Sequence, residues 1–177
     1  SGNADAMTIL AGLLAVDRLR VHRLCVQAIR PEAAFLFDRV AHLDVWCDPG
    51  HIAHTTELFV CHSSSSSSPC ISLTVESVTP LVFGSFGEHV RELTLLRSGV
   101  QAVEARAILA ACPGLHTLKL DECTALKSLD LFEQQDTAQQ LYTLRALCVR
   151  NCQHLPAFKA SMFASLAAAG LESLELE

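Results

Sequence analysis

Cys47, His51, His54, Cys61, His62 and Cys70 lie within 24 residues of one another. Thiolate and imidazole at short spacing are the donor types of tetrahedral zinc. If 51–62 is helical, His51 and His54 are three apart and share one face. The spacing matches no standard zinc finger, however, and six consecutive serines at 63–68 separate Cys61 and His62 from Cys70. The expectation is therefore histidines on a loop or helix surface together with buried thiols, and no metal ligand. A zinc-binding element at 47–70 is kept as the less favoured alternative. A Cys61–Cys70 disulfide is conceivable only in an exported protein.

Catalytic patterns are missing from the chain. It holds no Gly-rich phosphate loop, no G-x-S-x-G and no H-E-x-x-H. Cys148 and a histidine can be imagined as a dyad, but a parallel-strand surface offers such a pair no evident oxyanion site. The expectation is a non-enzyme with no catalytic residue and no cofactor.

Composition narrows the class further. The chain has 177 residues, 50% hydrophobic and 18% charged, which suits one ordinary domain with a sizeable core. Its formal charge of −6, without a Lys/Arg cluster, argues against nucleic acid. The longest apolar run, Ile9–Val16, has eight residues and no basic flank before it. A membrane span needs roughly 20, so neither a span nor a secretory signal is expected. Eight cysteines then read as reduced thiols of an intracellular protein, cytoplasmic or nuclear. Residues 1–6 read as a cloning remnant or disordered lead before Met7.

The elements that hold these residues show themselves as a repeat. Around Cys112–Cys123, Leu115, Leu118 and Leu120 form L-x-x-L-x-L, with Cys123 three residues on and Leu126 after it. Leu144, Leu147, Val149, Cys152 and Leu155 repeat the pattern, Leu171, Leu174 and Leu176 begin it again, and Val90, Leu93 and Leu95 precede it with Ser98 in the cysteine slot. The central leucines 93, 118, 147 and 174 are 25, 29 and 27 residues apart. In an extended segment the leucines point to one face and the residues between them to the other. A small thiol suits the inward turn after each strand, where its S–H can meet a backbone carbonyl.

These motifs resemble the leucine-rich repeats of the cysteine-containing subclass found in F-box adaptor proteins, over roughly 90–177 and more weakly before. The resemblance implies an α/β leucine-rich repeat solenoid: a curved parallel β-sheet on the concave side, helices on the convex side, and no enzymatic activity. It also implies, by analogy only, ubiquitin-ligase components as partners; no F-box-like Leu-Pro helix bundle precedes the repeats. Residues 7–177 read as one repeat domain of six or seven units, with a Ser-rich insertion at 62–69.

Taken in order, Ala6–Val16 is expected as a helix or solenoid cap, and Leu19–Val26 as a strand. Glu32–Arg39 reads as a short helix after Pro31, and Val40, Leu43 and Val45 as a strand. His51–His62 reads as a helix, and Ile71, Leu73 and Val75 as a strand. Phe83–Gly87 is a turn whose phenylalanines fill the core, and Gln101–Ala111 a helix stopped by Pro113-Gly114. Phe132–Gln140 reads as a loop or short helix, and Phe158–Ala169 as a helix capped by Gly170. The sequence stops on a strand motif, which reads as a fragment or an end covered by a neighbour.

The positions between the leucines line the concave face. The partner-binding set expected there is His42, Asp44, Trp46, Glu92, Thr94, Thr117, Lys119, Asp121, Arg150 and Glu175, with Trp46 the sole tryptophan and the natural anchor. Ala146 and Cys148 fall on the same face. The expected function is a protein–protein interaction module, a scaffold or adaptor, with no nucleic acid or membrane as partner. The alternative is a structural subunit or fragment of a larger assembly with both ends covered.

Overall fold

The computed structural model describes residues 21–26, 40–47, 70–76, 84–127, 143–155, 160–168 and 170–177. The helices expected at 6–16, 32–39, 51–62 and 132–140, the serine run and most of the Cys/His cluster lie outside the described residues.

Among the described residues, seven strands form one sheet: β1 (Val21–Val26), β2 (Val40–Cys47), β3 (Cys70–Glu76), β4 (Val90–Leu96), β5 (Thr117–Asp121), β6 (Ala146–Arg150) and β7 (Ser173–Leu176). Their spatial order is their chain order, and every neighbouring pair is parallel. Two α-helices, α1 (Ala102–Ala111) and α2 (Ala160–Ala168), lie on connections between described strands. The architecture is α/β. The last two apolar positions of each L-x-x-L-x-L motif fall on a strand, and Leu93, Leu118, Leu147 and Leu174 pair in one ladder across β4–β7.

Alternation decides which face is which. Leu93, Leu95, Leu118, Leu120, Leu147 and Val149 are buried in the same apolar cluster as Ala105, Ile108 and Leu109 of α1 and Leu166 of α2. That is the helix-covered face. The face opposite carries the intervening residues and stays open. Phe86, fully buried, fills the core as expected, but it does so from a 3-10 helix over Gly84–His89 rather than a simple turn. Gly170 ends α2 with φ of 92°, a value natural only to glycine.

The strand exits repeat as closely as the strands. Arg97, Glu122 and Asn151 each follow a strand with φ between 51° and 53°. Their N–H groups donate across to the last carbonyls of the next unit: Arg97 to Asp121 (2.9 Å), Glu122 to Arg150 (3.1 Å) and Asn151 to Glu177 (3.0 Å). The left-handed residue turns the chain inward, so the following residue is sheltered: Ser98 and Cys123 are fully buried and Cys152 partly so. Sheltering closes the last ladder bond while hiding the backbone from water.

Candidate functional site

The open face is built by the residue types the repeat leaves free. Trp46 sits on β2 opposite Thr74 of β3, and its indole is 49% exposed, the most exposed large apolar side chain described. It overlooks an open groove of about 650 Å³ lined by Arg23, Asp44, Trp46, Glu92, Thr94 and Lys119, with Cys25, Val45, Ser72 and Thr74 between them. Strand register sets this grouping, because Asp44 pairs with Ser72, Ser72 with Glu92, and Thr94 with Lys119.

Polar contacts cross the strands at the β1 side. The Arg23 Nε donates to Asp44 Oδ2, and the Cys25 thiol reaches the same oxygen at 3.2 Å. Arg23, aided by the hydrogen bonds from Cys25 and Ser72, holds the Asp44 carboxyl below the usual carboxylate range, against the opposing effect of burial. The same Asp44 bond raises the Cys25 thiol. Ser72 Oγ also lies 3.4 Å from Glu92 Oε2. His42 stands edge-on to His22, ring centres 5.1 Å apart.

At the β7 side, Arg150 is held between two acids. It donates to Glu175 and lies 3.2 Å from Glu177 through Nε. The bond from Arg150 keeps the Glu175 carboxyl low. These ion pairs are solvent-exposed and set geometry more than stability. Lys119, exposed and between the two clusters, has no ion pair among the described residues.

All ten expected interface residues occupy this open face, and none is buried. His42, Trp46, Glu92, Lys119 and Glu175 are exposed; Asp44, Thr94, Thr117, Asp121 and Arg150 are half-buried. Asp121 turns from the groove toward the strand exit, where the Asn151 side-chain amide donates to it at 3.2 Å. Cys148 corrects the expectation for its slot: it lies on the open face but is only 9% exposed. A short thiol between Lys119 and Glu175 is overtopped by longer neighbours, and its burial, then the Glu175 contact, raises its pKa. A Cys148 nucleophile is thereby disfavoured, since the thiolate is the reactive form.

Sequence reasoning missed a second feature, at the strand exits. A cleft of about 430 Å³ is lined by Arg97, Glu122, Thr124, Asn151 and Gln153. Arg97 there binds Glu76 at 2.9 Å and Glu122 at 3.3 Å. Beside it the two repeat cysteines meet the backbone as their slot implies. Cys123 Sγ is 3.6 Å from the carbonyl oxygens of Leu95 and Asp121, and Cys152 Sγ is 3.7 Å from that of Leu120 and 3.3 Å from that of Arg150. The two thiols also contact each other. Their proximity raises the Cys123 thiol and lowers the Cys152 thiol, the latter against the effect of burial. The signal was in the sequence, as two cysteines in one slot of adjacent units, but their lateral contact needs the register.

Among the described residues no cluster of His, Cys, Asp or Glu has the geometry to hold a metal, and no helix is long and apolar enough to cross a membrane. Of the zinc-cluster residues only Cys47 and Cys70 are described. No protein-family model, curated protein or solved structure matches the chain.

Proposed function

We propose that the chain is a leucine-rich repeat solenoid whose open sheet face, the concave side of that fold, binds a protein partner as a non-enzymatic scaffold or adaptor. The observation that carries this reading is Trp46: a half-exposed indole at the wall of a groove otherwise lined by polar and charged groups. An aromatic anchor within a polar surround is the usual layout of an interface hot spot. Two further points support it. The seven parallel strands hold those side chains on a stiff frame, so little ordering cost falls on binding. Lys119, without an ion pair among the described residues, and the acid-rich flank around Glu175 and Glu177 supply charge for selecting among partners.

The test compares capture of proteins by the wild type and by a Trp46→Ala/Lys119→Asp/Arg150→Asp variant of equal melting temperature. A partner held by the first and lost by the second supports the open face. A partner held equally by both places binding elsewhere and overturns the reading.

Leu176 favours a second reading. It is 40% exposed, whereas Leu120 and Val149 in the same ladder are 1% and 3% exposed. An apolar outer layer at β7 fits a structural subunit whose end is covered by a neighbour in an assembly. Concentration-dependent self-association on size exclusion, abolished by Leu176→Lys, would favour that reading; a constant monomer would favour the binding module.

A further inference from the structure

We infer that the open-face groove takes an extended segment of a partner protein carrying one basic and one acidic side chain three residues apart. The basic side chain packs on Trp46 beside Glu92, and the acidic one meets Lys119. This rests on the proposed binding role of that face and specifies the chemistry of what binds there.

Register sorts the groove into two rows. Asp44, Ser72 and Glu92 stand side by side on β2, β3 and β4. Two residues further along the same strands, Trp46, Thr74 and Thr94 stand side by side, and Lys119 of β5 closes the row. Ser72 and Thr74 are short and half-buried, so β3 forms a floor between longer side chains. Asp44 and Trp46 rise on the β2 side of that floor and Glu92 on the β4 side, each strand about 4.8 Å away.

The charges around the floor do not cancel evenly. Asp44 is already engaged by Arg23 and Cys25. Glu92 is exposed, is approached by Ser72 Oγ at 3.4 Å, and has no ion pair among the described residues. Lys119 has none among them either. Glu92 and Lys119 sit diagonally on β4 and β5, because Thr94 is the residue that pairs with Lys119. The groove thus keeps an uncompensated negative charge near Trp46 and an uncompensated positive charge at its other wall.

A long cationic side chain suits the first position. The face of an indole attracts Lys or Arg, and Glu92 supplies the counter-charge. The aliphatic stem covers indole surface that is 49% exposed. A purely apolar side chain would cover Trp46 equally well, but it would desolvate Glu92 without giving it a partner. A carboxylate suits Lys119. The β3 floor and Lys119 lie two strand spacings apart, about 10 Å. A polyproline-II segment, with three residues per turn and about 3.1 Å per residue, presents residues i and i+3 on one side about 9 Å apart. Such a segment runs across the strands.

The experiment titrates the folded full chain at low salt with short, end-blocked, proline-rich peptides free of aromatic residues. They differ only at two positions three apart: Lys with Glu, Lys with Lys, Glu with Glu, or Leu with Leu. The readout is the fluorescence of Trp46, the sole tryptophan of the chain. The Lys/Glu peptide should give a saturable change and bind about two- to fivefold more tightly than either like-charged peptide. Lys119→Glu should move the preference to the Lys/Lys peptide, and Glu92→Lys should move it to the Glu/Glu peptide. Both replace exposed side chains, so the melts should stay close to wild type. Glu172→Gln removes an acid that pairs with Arg145 outside the groove and should leave the order of affinities as it is. Equal affinity for all four peptides, a preference for the Leu/Leu peptide, no saturable change with any of them, or an unmoved preference in Lys119→Glu would overturn the inference. The open-face role is judged separately by partner capture, so a partner lost by the triple variant beside equal peptide affinities would overturn this inference alone.

Discussion

Leu120 and Leu176 occupy the same slot of the repeat, one with a strand on each side and the other at the edge. Leu120 pairs with Val149, and Val149 with Leu176. Their exposures are 1% and 40%. Replacing each by alanine therefore removes the same atoms from two different environments. For Leu120, the transfer loss is about 2.4 kcal/mol, from three methylene equivalents at about 0.8 kcal/mol each. A cavity in the apolar cluster adds to this, giving about 3–4 kcal/mol in all. For Leu176 the transfer loss scales with the covered fraction and water fills the space, so the cost is about 1.4 kcal/mol. With a urea slope of about 2 kcal/mol per molar, the midpoints should fall by roughly 1.5–2 M and roughly 0.7 M. Far-UV circular dichroism across a urea series reads both. Equal shifts, or a Leu120→Ala shift under about 0.5 M, would refute the assignment of the leucine face to the core and with it the register of the whole sheet.

Other outcomes follow from the same geometry. Leu118→Asp should leave the domain unfolded at room temperature by circular dichroism, because a charge enters a site only 2% exposed, while Lys119→Asp one residue away should leave the melt nearly unchanged. Gly170→Ala should cost about 1–3 kcal/mol by urea titration, since an L residue is strained at φ of 92° and its Cβ would come within 2.9 Å of Arg145 Nη1. Gly114→Ala should cost under about 1 kcal/mol although its Cβ would overlap Arg91 Nη1 at 1.7 Å, because the obstacle is the end of a long side chain that can swing clear. Asp44 has a folded-state pKa below its unfolded value, so its contribution is complete above the unfolded pKa near pH 4 and is lost as pH falls through the folded one. Arg23→Ala should therefore lower stability slightly at neutral pH, the pair being exposed, and leave pH 2 nearly untouched, which flattens the acid side of the stability–pH curve read by thermal melts from about pH 6 down to about pH 2.

Much of the fold was legible because parallel strands in sequence order repeat their own pattern. The leucine spacing located β4–β7, and apolar alternation located β2 and β3, because burial on one sheet face is written at period two. The open-face membership of all ten interface residues followed from the same alternation. Other features depended on neighbours that the sequence does not specify. Cys148 has the alternation of an exposed residue, yet Lys119 and Glu175 on adjacent strands cover it. The left-handed turns at Arg97 and Glu122 were invisible, since neither residue type favours positive φ; only Asn151 carries a signal. What holds all three in that conformation is the cross-unit N–H bond, a tertiary contact.

Those cross-unit bonds explain why the candidate chemistry gathers where it does. In-register parallel stacking sets each side chain beside the residue in the same slot of the next unit. On the open face this pairs unlike groups: Cys25 with Asp44, and Cys148 with Glu175. At the exits it pairs like groups, and there the consequence differs. Glu122 and Asn151 share a slot without conflict because one is an amide, and Arg97 next in line neutralises Glu122. Two cysteines share the next slot as neutral thiols, and each reaches backbone carbonyls: Cys123 those of Leu95 and Asp121, Cys152 those of Leu120 and Arg150. They differ in cover, Cys123 being fully buried and Cys152 partly open. An added or exchanged unit after β7 that buried Cys152 as deeply as Cys123 should remove that difference, slowing its alkylation toward the rate of Cys123 without altering either residue.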